Sequence, residues 1–160
     1  MSQDKVDSIL AQWQQVRPDL DCSAMGVVGR LRQTSNLWKS QLDLVFKHHE
    51  LSAVEFDILA TMRRCDQPLT PTQLYQTLML SSGAVSTRIE QLVQRGLVER
   101  LASQQDRRSC EVKLTEAGVA LVDQAVNAHV ANMDGMLQVL DANEQQQLAA
   151  LLKKVLLAGE

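Results

Sequence analysis

Two groups of residues have the side chains expected of a surface that binds DNA. The first is a run of small, mostly hydroxyl-bearing residues, which would let a helix approach a duplex closely: Ser81, Ser82, Gly83, Ser86 and Thr87. The second is the pair Arg107 and Arg108, which lies between two short strand-like segments. Adjacent arginines at the tip of such a hairpin suit the minor groove, where the negative potential of DNA is concentrated. The two groups predict contacts with both grooves of a duplex.

The first group needs a helix to present it. Apolar residues recur there with helical spacing: Val85, Ile89, Leu92 and Val93. This spacing predicts a helix with one apolar face, from which Gly83 and Thr87 point away. Ser81 or Ser82 can cap its start, and Gly96 suits the left-handed position after its end.

A second helix precedes this helix and a β-hairpin follows it. We call the helix that carries Gly83 and Thr87 the recognition helix. Thr70-Pro-Thr-Gln73 is a capping box with proline at the first helical position, and Thr70, Thr72 and Gln73 are further candidates for DNA contacts. Two helices joined by a short turn are typical of a helix-turn-helix. Residues 97–101 and 110–114 predict the two strands of a wing that carries Arg107 and Arg108. The predicted fold is mainly α (α+β): a winged helix-turn-helix with a two-stranded β-wing.

In order and spacing, these segments resemble the winged helix-turn-helix of the MarR family of bacterial transcription regulators. The segments that carry the resemblance are 51–60, 69–74, 86–92, 96–100, Asp106-Arg-Arg108 and Leu114-Thr-Glu-Ala-Gly118. Together they span about half of the chain. The resemblance implies a regulator that binds a double-stranded DNA operator.

The remaining helices are more apolar than so small a DNA-binding lobe can cover. Residues 51–114 would form that lobe within a single domain of 1–160, and 5–50 and 115–157 would form long terminal helices. Apolar surface left over in this way often marks an interface with a partner. The sequence therefore predicts a homodimer through these dimerisation helices, with two recognition helices on one face of a pseudo-palindromic operator. A monomeric helical bundle is the alternative.

Four residues stand apart from the pattern of helices and strands. Arg88 flanks the apolar side of the recognition helix, where it would contact a phosphate or anchor something bound behind the helix. Asp57 belongs to a polar strip that could equally be solvated, and Arg100 suits a salt bridge that braces the wing. Trp13 suits dimer packing.

The same four residues add a second resemblance. Trp13, Asp57, Arg88 and Arg100 coincide with the tryptophan, aspartate and two arginines of the urate-responsive (HucR and PecS type) branch of the family. Residues 13–21 are similar to the N-terminal extension of the PecS type. The resemblance implies that the protein is a repressor. It also implies a small aromatic anionic effector, such as urate, that weakens DNA binding and so releases the operator. Two arginines would complement such an anion, and Asp57 would repel it.

Other functions have weaker support. Cys22, Cys65 and Cys110 leave a redox-sensing regulator open, although Cys65 and Cys110 fall on apolar faces that predict buried thiols. Control by a protein partner is also open. The histidines lack the spacing of metal ligands, and there is no nucleophile motif or phosphate-binding loop, so we expect no metal, no cofactor and no enzyme activity.

Charge and hydropathy agree with this interpretation. The chain carries a net charge of −3, but residues 81–113 hold six arginine or lysine residues against four acidic ones. Positive charge therefore concentrates on the predicted DNA-binding element. No apolar run is long enough to cross a membrane and residues 1–5 have no apolar signal core, so a cytoplasmic protein is expected.

Overall fold

The structure is a computed structural model in which residues 2–78, 82–102 and 110–159 are described. It contains two compact units, residues 1–41 and 42–160, and each is described by itself. The elements in chain order are α1 (Lys5–Val16), α2 (Ser23–His48), α3 (Ala53–Cys65), α4 (Pro71–Leu78), α5 (Ser82–Gln94), β1 (Val98–Ala102), β2 (Cys110–Leu114), α6 (Glu116–Leu137) and α7 (Ala142–Leu157). The boundary between the units falls within α2.

In the first unit, α1 packs on the first half of α2. Asp4 caps α1 in a box completed by Asp7. Both carboxylates accept hydrogen bonds from Arg30 of α2, at 2.8 Å and 2.6 Å. Val6 is buried and lies against Gly29. The ion pairs and this close approach of the two helices hold the pair together.

The second unit is a winged helix-turn-helix with helices α6 and α7 following it. Its core draws on α3, α4, α5, both strands and α6. It includes Ile58, Leu59, Leu74, Val85, Ile89, Leu92, Val98, Val112, Val122 and Ala125. Strands β1 and β2 pair antiparallel, with Val98 opposite Leu114. Leu69 exchanges two backbone hydrogen bonds with Val112, which joins the segment before α4 to the wing. This architecture confirms the predicted fold class.

Local capping signals place the helix starts where the sequence predicts them. Capping boxes are formed by Ser52 with Glu55, by Thr70 with Gln73 and by Asp141 with Glu144. Small differences occur at two other boundaries. Helix α6 ends at Leu137, and β1 begins one residue later than predicted because the Leu97 N–H bonds the Leu92 carbonyl and closes the end of α5.

Several large apolar side chains remain exposed along the last two helices. They are Val130, Leu151, Val155, Leu156 and Leu157. Within the described residues, no helix is both long and apolar enough to cross a membrane.

Candidate nucleic-acid interface

The outer face of α5 offers an open, sterically small surface. Gly83, Ser86 and Thr87 are exposed, and a Cβ added at Gly83 would meet no described atom within 4 Å. The Thr87 hydroxyl donates to the Gly83 carbonyl, 3.0 Å away. Ser82 opens α5, but its side chain and the whole of Ser81 lie outside the described residues. The first turns of α5 therefore present backbone and short side chains to whatever lies in front of them.

The opposite face of α5 confirms the predicted helical phase. Val85, Ile89 and Leu92 are at most 1% exposed. Since these side chains fix the inner face, the exposed position of Thr87 follows from the turn of about 100° between successive residues.

The start of α4 is partly committed to its own cap. The Thr70 N–H and hydroxyl both donate to the Gln73 side-chain oxygen, at 2.8 Å and 3.0 Å. The Gln73 N–H donates in turn to the Thr70 hydroxyl. A DNA contact by Gln73 would therefore use its side-chain NH₂ group, while Thr72 is exposed beside it.

Arg88 differs from the other described basic residues of this region. Arg95 pairs with Glu55 at 3.4 Å, Arg100 with Glu90 at 2.8 Å and Lys113 with Glu99 at 2.9 Å. Arg88 instead donates to the side-chain oxygen of Gln91, a neutral amide, at 2.9 Å. A phosphate or another anion forms a stronger hydrogen bond with a guanidinium than an amide does. Arg88 is therefore well suited to exchange Gln91 for an anionic ligand.

Glu55 is a buried carboxylate that sequence reasoning assigned only to a helix cap. Burial favours its neutral form, but hydrogen bonds from Ser52 and the positive charges of Arg95 and Arg88 outweigh burial and lower its pKa. The ion pair with Arg95 spans forty residues of sequence, and no local pattern signals it. Glu55 is thus ionised and lies near two basic residues, Arg88 of α5 and Arg95 just after it.

The residues of the predicted effector site have different partners. Asp57 in α3 has a raised pKa because its carboxyl loses hydration, although Arg64 and His129 favour its charge. Arg100 joins β1 to Glu90 of α5, so its salt bridge braces the wing against the recognition helix. Trp13 lies on α1, in the first unit, and is partly exposed.

Cysteines and histidines complete the set of reactive side chains. Cys65 is exposed, which contradicts the predicted buried thiol, because it lies in the last turn of α3 where the helix extends past the core. Cys22 and Cys110 are partly buried. His129 packs against Phe46 and Phe56. No group of three potential metal ligands occurs in the described parts of the chain.

Two predicted DNA contacts fall in the segment between β1 and β2. Arg107 and Arg108 lie outside the described residues, as does Asp106. Their predicted contacts with the minor groove remain predictions. Only the paired strands on either side of this segment, β1 and β2, are described.

Comparisons with known proteins agree with the geometry. A family model described as MarR family matches residues 49–109. The HTH-type transcriptional regulator PecS of Dickeya dadantii is 40% identical over 153 residues, covering 94% of this chain and 92% of PecS. The multiple antibiotic resistance protein MarR of Escherichia coli is 34% identical, covering 81% of this chain and 90% of MarR.

Solved structures give the same result in three dimensions. Wild-type MarR from Escherichia coli in its apo form superposes with a TM-score of 0.69 at 32% identity, over 80% of this chain and 95% of that one. A cysteine-to-serine mutant of the same protein complexed with operator DNA gives 0.71 at 28% identity, over 90% and 97%. The chain therefore belongs to the MarR family of DNA-binding transcriptional regulators.

Proposed function

We propose that this protein is a transcriptional repressor that binds a pseudo-palindromic operator as a homodimer and is released by a small aromatic anion such as urate. The observation that carries the proposal is the open first half of α5, with Arg88 beside it bonded to a neutral partner. A surface of this kind suits close approach to a duplex together with exchange of an anion.

In the DNA-bound state, α5 enters the major groove. Ser81, Ser82, Gly83, Ser86 and Thr87 face the bases, and Thr70, Thr72 and Gln73 lie near the backbone. Arg88 contacts a phosphate, and Arg107 and Arg108 reach the minor groove. Base contacts give specificity, whereas phosphate contacts give affinity that falls with salt.

The homodimer explains the exposed apolar surface of the terminal helices. In α7, Leu151 and Val155 are 63% and 66% exposed, and they lie four residues apart on one face. Burying such side chains contributes about 25 cal/mol per Å² of apolar area, so a second copy of the chain would be stabilised by covering them. We propose that residues 5–50 and 115–157 form this interface, with 51–114 as the DNA-binding lobe of a single domain.

The proposed effector follows from the resemblance to PecS and from the charges of the second unit. Arg88 and Arg100 would complement a urate-like anion. The carboxyl of Asp57 has lost part of its hydration, and this loss raises its pKa. A second negative charge nearby would disfavour the ionised form further and push α3 away or protonate Asp57.

The ligand acts only through a difference in affinity between two states. It must bind more tightly to the form that cannot bind DNA, because equal affinity for both forms shifts nothing. A coupling of about 1–3 kcal/mol is ordinary for such a switch. Arg88 would couple the two states, because it lies on α5 and is proposed to contact both the DNA phosphate and the effector.

The test is a gel-shift titration of DNA flanking the gene, with and without urate. Wild-type protein should release the DNA at millimolar urate or below. Arg100→Ala should keep operator binding but lose the response to urate, whereas Lys113→Ala removes an equally exposed wing ion pair and should keep both. Absence of heat in calorimetry and of DNA release in the wild type would reject urate as the effector.

The exposed thiol of Cys65 favours a second candidate, a redox-responsive regulator. An oxidised form of MarR from Escherichia coli, 29% identical to this chain, is among the matching structures. If this candidate is right, peroxide should release the operator, urate should not, and Cys65→Ser should abolish the response to peroxide while leaving DNA binding unchanged.

A further inference from the structure

Besides core packing, two side-chain hydrogen bonds among the described residues tie the chain just after α5 to other elements of the second unit. The Thr115 hydroxyl donates to the Gly96 carbonyl at 2.7 Å, just after the helix ends. Arg95, one residue beyond α5, reaches the buried carboxylate of Glu55 at the start of α3. One attachment therefore comes from the cap of α6 and the other from the first turn of α3.

Glu55 is well suited to act as a fixed anchor. Its side chain is 9% exposed. One carboxylate oxygen accepts from the Ser52 N–H at 2.8 Å and from the Ser52 hydroxyl at 2.6 Å, and the other accepts from Arg95 at 3.4 Å. A carboxylate held by its own helix cap has one orientation, so the position of the guanidinium that it binds is also restricted.

The attachment controls a lever. Gly83 lies twelve residues before Arg95, which corresponds to about 18 Å along a helix that rises about 1.5 Å per residue. A tilt of about 10° at Arg95 would therefore move the first turn of α5 by about 3 Å, whereas hydrogen bonds to bases require donor and acceptor within about 0.3 Å of their optimal separation. Recognition of bases by the first turns is therefore sensitive to the angle of α5, which core packing of Val85, Ile89 and Leu92 and the attachment at Arg95 set together.

We infer that Glu55 is a positioning residue for operator recognition, which fixes the angle of α5 through Arg95 without touching DNA. The inference rests on the proposed use of α5 to recognise an operator. It assigns Glu55 a role that its capping function alone does not require, because the Ser52 hydrogen bonds use one oxygen and leave the other for Arg95.

The experiment compares affinity for the operator with affinity for a scrambled duplex of the same length. Glu55→Gln keeps an oxygen for the Ser52 cap but removes the charge that attracts Arg95. We expect operator affinity to fall at least tenfold and affinity for the scrambled duplex to change less than twofold. Glu99→Gln is the matched control, because it removes an exposed ion pair with Lys113 in the wing and should leave the ratio unchanged.

A second variant separates positioning from stability. Arg95→Met keeps the apolar stem, breaks the same ion pair and should reproduce the loss in the ratio, with no additional loss in the double variant. Equal losses for operator and scrambled DNA would show that Glu55 only stabilises the fold, and would overturn the inference. If the wild type itself prefers no operator sequence, the proposed function fails as well; a wild-type preference that both variants retain rejects the positioning role alone.

Discussion

Gly118 lies directly against the backbone of Leu97: a Cβ at Gly118 would stand 2.0 Å from the Leu97 carbonyl oxygen. That oxygen also accepts from the Thr115 N–H, and the Gly118 N–H donates to the Thr115 hydroxyl. The first turn of α6 therefore packs on the chain between α5 and β1 more closely than any side chain permits. This contact explains why glycine follows the cap Thr115 by three residues in the segment Leu114-Thr-Glu-Ala-Gly118.

Gly118→Ala should therefore destabilise the protein. Overpacking of this kind costs about 1–3 kcal/mol or more, since backbone has to move. Urea unfolding measures the change in the free energy of unfolding. Gly135→Ala, in the same helix, is the control: its Cβ would meet no described atom within 4 Å, and alanine should raise stability by about 1 kcal/mol. A stable Gly118→Ala variant would contradict the close contact.

Gly83→Ala should separate folding from DNA binding. The position is open, so alanine in a helix should stabilise the fold by up to about 1 kcal/mol. Operator affinity should fall because the added methyl group would stand on the surface proposed to approach the duplex. Thermal melting and gel shift on the same samples check both signs. A variant that is more stable and binds the operator as tightly as the wild type would place this face away from DNA.

Arg88→Gln should weaken binding in a manner that depends on salt. If Arg88 contacts a phosphate, the logarithmic slope of affinity against salt should decrease by about one unit. Lys113→Gln is a useful comparison, because that lysine is already paired with Glu99 and should leave the slope unchanged. Fluorescence anisotropy at several salt concentrations gives the slopes. Equal slopes for Arg88→Gln and the wild type would exclude the phosphate contact.

Asp57→Asn should stabilise the protein at neutral pH. The folded-state pKa of Asp57 is raised above its ordinary value of 3.8 by loss of hydration, so ionisation costs stability as pH rises through this range. Asparagine removes that cost, and its advantage over the wild type should disappear below pH 3.8, where Asp57 is protonated in both states. Chemical unfolding at a series of pH values measures the difference.

Glu55→Gln provides the opposite sign in the same experiment. The pKa of Glu55 is lowered, so its contribution to stability is present above the ordinary value of 4.5 and is lost as pH falls through the folded-state pKa. The variant should be less stable than the wild type at neutral pH and should approach it in acid. Shifts of the same sign for both variants would show that one of the two environments is misassigned.

The proposed homodimer can be tested on the exposed face of α7. Leu151→Lys combined with Val155→Lys should leave a monomer's stability nearly unchanged, because both side chains are exposed in the isolated chain. In a dimer that buries them, two unpaired charges from each chain would be placed in the interface and association should be lost. Sedimentation velocity reports the oligomeric state, and a lysine pair at the exposed positions Gln146 and Ala150 serves as control. Retained dimers would rule out this face.

Much of the fold could be predicted because its signals are local. Capping boxes such as Ser52 with Glu55 are formed within four residues, and the phase of α5 follows from the spacing of Val85, Ile89 and Leu92. The exposure of Cys65 could not be predicted in this way. It has the spacing of an inner residue, but it lies in the last turn of α3, beyond the core. Periodicity indicates which face is apolar and not how far the neighbouring elements extend.

The candidate site could be predicted only in part. The small outer face of α5 was visible in the sequence, and the structure shows Gly83, Ser86 and Thr87 exposed there. A salt bridge of Arg100 that braces the wing was predicted, but its partner Glu90 was not. The ion pair of Arg95 with Glu55 was not predicted at all, because packing brings the two side chains together. Which of several carboxylates an arginine meets depends on tertiary structure, and composition does not reveal it.

The two hydrogen bonds between Leu69 and Val112, at 3.0 Å and 2.8 Å, have a consequence for the kind of DNA that fits. They fasten the middle of β2 to the segment that leads into α4, so the hairpin is tied to the pair of helices α4 and α5. On a duplex, α5 and the hairpin of β1 and β2 would be held at a fixed distance and angle to each other. We therefore expect the protein to bind undertwisted or overtwisted DNA less tightly than relaxed DNA of the same sequence.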